Sequence, residues 1–169
     1  MWYRFVVLVV AGALLFSIIF WQPEESVIVS LPDFQAKSMN GEQVNQQVLH
    51  KGGFVHFFRS SCGYCLLEHD GWVEFKKRHP DVVVVAVLHK ETLAEAEKFF
   101  LHHKNPYDFV IDDQDNRLWL ALGAKSTPET FIINQLGEVV DHIGYMKPSD
   151  FDQLSRIAGS VSEDALGPI

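Results

Sequence analysis

Two cysteines three residues apart, set where a strand-like run gives way to a helix-like one, constrain this chain more than any other feature. The stretch is FVHFFRSSCGYCLLEH, from Phe54 to His69, and Cys62 and Cys65 are the only cysteines among 169 residues. A helix starting at this pair puts Cys62 at its N-terminus. Unpaired backbone N–H groups and the helix dipole stabilise a thiolate there and lower its pKa. Cys65, three residues on, comes round one turn and is placed to attack a mixed disulfide formed at Cys62. A structural staple is a poor account of the pair. A chain of this length buries a core without one, and a bridge across so short a loop constrains the unfolded chain little.

The rest of the chain supplies alternating elements. Gly52–Phe58 reads as a buried strand, and Cys65–His79 as a helix in which Gly71 marks a kink or a close packing contact. PDVVVVAVLH is a turn and a β-branched run suited to a central parallel strand, and ETLAEAEKFFLHHK is an amphipathic helix. Asp108–Asp113 gives a short strand, and Asp115–Gly123 a short helix closed by its glycine. TPETFIIN and EVVDHIG form a hairpin turning at Gln135–Gly137, and Ser149 signals the start of a last helix. The order β-α-β-α-β-α-β-β-α predicts an α/β fold, a mixed sheet flanked by helices on both faces. Trp72, Phe75, Phe99, Phe100 and Trp119 are expected in its core.

From Phe5 to Trp21 the chain is apolar apart from Ser17, with Arg4 before it and Glu24 and Glu25 after it. Residues 1–22 are expected to form a transmembrane anchor, 23–30 a linker, 31–160 the folded domain and 161–169 a tail. The charge bias puts the N-terminus in the cytoplasm and the domain outside it. A cleaved signal peptide is the rival reading, and both export the domain to a compartment where a dithiol–disulfide couple has a use. The net charge of −8 and the absence of any basic stripe exclude nucleic acid as a partner.

The strand–CxxC–helix junction and the order of elements resemble the thioredoxin superfamily. Pro128, after Thr127 and before the strand ETFII, stands where that superfamily carries a cis-proline facing the active-site disulfide. His56, six residues before Cys62, stands where thioredoxins carry a buried aspartate that assists proton transfer. Strand alternation puts it on the face of Phe54 and Phe58, where a plain core histidine is the alternative.

From about Leu31 to Gly159 the resemblance is to the membrane-anchored DsbE/CcmG type, the thiol–disulfide proteins of cytochrome c maturation. It is carried by CxxCxxEH (Cys62–His69), by PETF (Pro128–Phe131) and by a lead-in that looks like a hairpin and short helix before Gly53. The resemblance implies a periplasmic thiol–disulfide oxidoreductase on the inner membrane, with a redox-active Cys62/Cys65 pair and no metal or other cofactor. It implies protein substrates with cysteine pairs, such as apocytochrome c or its maturation factors, and a DsbD-like membrane electron donor. Thr127 and Pro128 would hold the substrate backbone, and Glu68 and Glu129 would tune the site. From the residues alone, Glu68 reads equally as a solvated helix residue and Glu129 as an exposed strand-edge charge.

The reactive loop departs from that type. Ser61 replaces a tryptophan, and Gly63-Tyr64 with Thr127 resembles the loop of exported disulfide isomerases of the DsbC type. Arg59 adds a positive charge beside the pair. A periplasmic isomerase or oxidase is therefore the alternative function, and a non-catalytic binding or chaperone-like domain is a third. Cys62, Cys65 and His69 would give zinc three ligands, with His102 or His103 needed as the fourth.

Overall fold

The computed structural model describes residues 29–163. The apolar segment expected to cross a membrane lies outside them, and no helix among the described residues is long and apolar enough to do so. Eight strands form among the described residues: β1 (Val29–Ser30), β2 (Gln35–Lys37), β3 (Gln43–Asn45), β4 (Gly53–Phe58), β5 (Val84–Leu88), β6 (Phe109–Asp112), β7 (Glu129–Ile133) and β8 (Glu138–Ile143). Four α-helices join them: α1 (Gly63–Arg78), α2 (Leu93–Phe100), α3 (Arg117–Leu122) and α4 (Asp150–Glu163).

The main sheet runs β1-β8-β7-β4-β5-β6. β4, β5 and β6 pair in parallel, and the others pair antiparallel. β4 and β5 are buried along their whole length, as unbroken apolar runs require when both faces of a sheet are covered. Alternation along β4 divides the core. Phe54 and Phe58 point to the face covered by Trp72 and Phe75 of α1, Ala96 of α2 and Phe151 and Leu154 of α4. Val55 and Phe57 point to the other face, with Val44 of β3, Leu49 and Leu118 and Leu122 of α3. The lead-in forms the expected hairpin, β2–β3, and a short 3-10 turn, Gln46–Leu49.

Gly71 proves to be a packing contact. A Cβ there would lie 2.3 Å from the Phe151 ring, so only glycine lets α4 lie this close on α1. Two boundaries and one cap differ from expectation. Val29 and Ser30, in the segment read as linker, pair with Val139 and Glu138, so the folded unit begins before Leu31. Helix α4 runs past residue 160 to Glu163, into the segment read as tail. At its start Ser149 does not cap with its hydroxyl, which donates to Asp150, whose carboxylate accepts the Lys147 N–H.

Candidate active site

β4 delivers the chain to the reactive turn at the edge of the sheet. After Phe58 the Cys62 N–H donates to the Arg59 carbonyl at 3.1 Å, closing a tight turn, and α1 begins at Gly63. Cys62 is the N-cap residue, in extended geometry, and its sulfur accepts the Cys65 N–H at 3.5 Å. Both thiols are free. Cys62 keeps 8% exposure while Cys65 keeps 1%, so only Cys62 can meet a large partner.

Electrostatics separate the two thiols further. Burial works against ionisation of Cys62, but hydrogen bonds from the Cys65 side chain and N–H, the Thr127 side chain and the Tyr64 N–H outweigh it and leave the pKa below the ordinary thiol value. Burial pushes the Cys65 thiol far up, helped by its bond to Cys62 and by the negative charges of Cys62 and Glu68. The result is one activated nucleophile with a protonated thiol behind it.

The Thr127–Pro128 peptide is cis, and the Thr127 carbonyl accepts the Cys62 thiol at 3.3 Å. Sheet pairing brings these residues together: Glu129, just after Pro128, opposes Phe57 across β4–β7. Glu129 is buried, not an exposed edge charge. Its carboxylate accepts the N–H groups of Lys125 at 2.7 Å and Ser126 at 3.2 Å, bracing the loop that carries Thr127. It therefore touches the loop and not the sulfurs.

Glu68 is also buried, not solvated. Its carboxylate accepts the Trp72 indole N–H at 3.2 Å and the Met146 N–H at 2.9 Å. Burial raises its pKa to about 7 against those two bonds, which favour the charged form. His56 Nε2 lies 3.4 Å from Glu68 Oε1, and Nδ1 lies 3.0 Å from the Thr130 hydroxyl. Burial, with the charge of His69 adding to it, lowers the His56 pKa to about 3. Each partner thus favours its neutral form, and the contact is a long polar one rather than an ion pair. Tyr107 stacks on the His56 ring at 5.6 Å, and its buried hydroxyl has no hydrogen-bond partner among the described residues.

The remaining predicted residues lie around the rim. Gly63 is exposed, with open space where a Cβ would stand. Tyr64 is exposed and its ring meets Tyr145, of the loop after β8, at 5.1 Å. Arg59 gives its backbone carbonyl to the reactive turn, while its charge acts on His89. His69 faces the loop after α2, with Nε2 2.9 Å from the Lys104 carbonyl, and no cluster of three metal-ligating side chains forms among the described residues.

Two residues near the site gave no signal in the sequence. Tyr107 joins the buried cluster from the loop before β6, and Glu91, after β5, hydrogen-bonds Ser60 in the reactive turn. Only the parallel pairing of β4 and β5 brings Glu91 there.

Residues 28–155 match the Redoxin family. A thiol:disulfide interchange protein DsbE from Pseudomonas fluorescens biotype C is 30% identical over 121 residues, which cover 70% of this chain and 67% of that protein. The thiol:disulfide interchange protein HelX from Rhodobacter capsulatus is 28% identical over 112 residues, covering 66% of this chain and 54% of the relative. The chain thus spans between about half and two thirds of these relatives. A thioredoxin-family thiol:disulfide interchange protein from Chlorobium tepidum TLS shares the fold, with a TM-score of 0.65 at 23% identity over 79% of this chain and 98% of the other. StoA from Bacillus subtilis does so with a TM-score of 0.64 at 23% identity, over 76% and 97%. On fold, cysteine geometry and relatives together, this chain belongs to the Redoxin family, as a thioredoxin-fold thiol–disulfide oxidoreductase similar to the DsbE and HelX proteins.

Proposed function

We propose that the chain is an exported, membrane-anchored reductase of protein disulfides, with a cytoplasmic N-terminus and a periplasmic catalytic domain. Its substrates are exported proteins with cysteine pairs, unfolded c-type apocytochromes and their maturation factors first among them. The observation that carries this reading is the placing of Cys62 at the head of α1, beside the carbonyl that precedes cis-Pro128, with Cys65 shielded behind it.

The Cys62 thiolate attacks one sulfur of a substrate disulfide, and the other sulfur leaves as a thiolate. Cys65 then gives up its proton and attacks the Cys62 sulfur of the mixed disulfide. Glu68, one helical turn further on and with a pKa of about 7, takes that proton when it is ionised; its charge acts on the Cys65 thiol. The second substrate thiol leaves, and the chain is left oxidised at Cys62–Cys65. A DsbD-like membrane protein restores the dithiol with two electrons and two protons. No metal or haem of the chain's own takes part.

The reduction potential of the full chain, equilibrated against glutathione, tests the direction of electron flow. A value in the thioredoxin-to-glutaredoxin range, roughly −200 to −270 mV, supports the reductase. The Gly63-Tyr64 dipeptide, with the exposed Tyr64 ring beside Cys62, favours a disulfide isomerase or oxidase as the second reading. A potential near about −120 mV would replace the first reading by the second.

A further inference from the structure

The reactive turn is held from outside by a residue that belongs to neither the cysteine motif nor the proline loop. At the last rung between β4 and β5 the His89 N–H donates to the Phe58 carbonyl at 3.2 Å. Beyond that rung the backbone ladder ends, and the chain turns at Lys90, which adopts a left-handed φ of 52°. This turn aims Glu91 back across the gap. One carboxylate oxygen accepts the Ser60 N–H at 2.9 Å, and the other accepts the Ser60 hydroxyl.

Ser60 is the first of the two central residues of the turn that Cys62 N–H closes on the Arg59 carbonyl. The backbone N–H at such a position has no partner within the turn, and Glu91 supplies one. We infer that Glu91 is a positioning residue for thiol–disulfide exchange: through its paired hydrogen bonds to Ser60 it fixes the turn that presents Cys62 at the head of α1. It does not touch either sulfur.

The geometry at Cys62 makes this holding consequential. Its sulfur accepts the Cys65 N–H at 3.5 Å, and an outward movement of the turn lengthens and weakens that bond. The Cys65 and Thr127 side chains and the Tyr64 N–H also hydrogen-bond the sulfur, and the same movement alters those contacts.

A carboxylate this close also exerts a charge, and the two effects have opposite signs. As a bare negative charge, Glu91 would disfavour the Cys62 thiolate, so its removal would lower the Cys62 pKa. As a brace, its removal raises that pKa. The test is the pH dependence of Cys62 alkylation by iodoacetamide in the reduced full chain, for wild type, Glu91→Ala, Glu91→Gln and Ser60→Ala.

In Glu91→Ala the Cys62 pKa should rise, and alkylation at about pH 6 should slow by about three- to tenfold, tenfold corresponding to one pKa unit. The plateau rate at high pH should stay nearly unchanged, because the thiolate itself is intact. Glu91→Gln keeps one acceptor and should lose less. Glu91→Ala introduced into Ser60→Ala should cost less than in the wild type, because half the linkage is already gone. An unchanged or lowered pKa in Glu91→Ala overturns the inference. If that variant does not fold, a Ser60→Ala pKa no higher than the wild type's overturns it instead. The alkylation reports on Cys62 alone, so its outcome is independent of which disulfides the chain reduces.

Discussion

Replacing Glu68 by glutamine should tilt the pH dependence of stability in a direction set by the burial of this one carboxyl. An unfolded chain ionises Glu68 near its ordinary value of 4.5, whereas the folded chain holds the proton up to about 7. Over that window the unfolded state binds fewer protons than the folded one, so this group's contribution to stability falls as pH rises. One pKa unit is worth about 1.4 kcal/mol, so the loss between those limits is on the order of 3 kcal/mol. His56 works the other way. Its pKa drops from 6.5 to about 3 on folding, so its contribution is full above 6.5 and is lost as pH falls toward 3. Between about 4.5 and 6.5 the two slopes oppose each other and nearly cancel in the wild type.

Glu68→Gln removes one slope and leaves the other. The glutamine amide faces one of the two N–H donors, Trp72 or Met146, and adds a cost of about 1–3 kcal/mol that does not vary with pH. Urea unfolding of both proteins across this range separates the offset from the slope. The stability advantage of the wild type over the variant should shrink by about 3 kcal/mol between pH 4.5 and 7. Parallel curves for the two proteins would show that folding does not shift the Glu68 pKa, and the account of the buried cluster would fail.

Other outcomes follow from the same geometry. Cys62→Ser should abolish exchange with a model disulfide, whereas Cys65→Ser should accumulate mixed disulfides, resolved as adducts on non-reducing gels. Gly71→Ala drives a methyl group into the Phe151 ring, and thermal melting should show a loss of about 1–3 kcal/mol, since overpacking exceeds the gain in helix propensity. Asp113→Ala removes the carboxylate that accepts the Leu118 and Trp119 N–H groups at the start of α3, and denaturant titration should show a loss of about 1–2 kcal/mol. Glu129→Ala frees the two N–H groups that precede Thr127, and amide exchange at Lys125 and Ser126 should quicken.

The order of elements and the place of the cysteines were legible because both rest on local patterns: an apolar run, a turn, a helical period. The face of His56 followed from alternation along β4 alone. The state of the two acidic residues was not legible, because each depends on a partner supplied by tertiary structure. Glu68 is buried because Met146, 78 residues away, gives it an N–H. Glu129 is buried because β7 is an inner strand, with β4 on one side and β8 on the other. Glu91 reads in the sequence only as the first residue of the amphipathic helix ETLAEAEKFFLHHK, since its partner lies 31 residues away across a parallel pairing. Ser149 shows the converse limit, a correct helix start whose expected capping group is not the one used.

The contact between Gly71 and Phe151 gives α1 an axial reference. Gly71 lies nine residues beyond Cys62, on the order of 14 Å along the helix. A helix is stiff over that length, so a fixed point at its middle also fixes its end. Sliding α1 along the sheet, or turning it about its axis, would bring a residue with a side chain under the Phe151 ring, where there is room for none. Phe151 thus acts as a detent that allows one register of α1, and the height of Cys62 above the sheet is set from well inside the molecule.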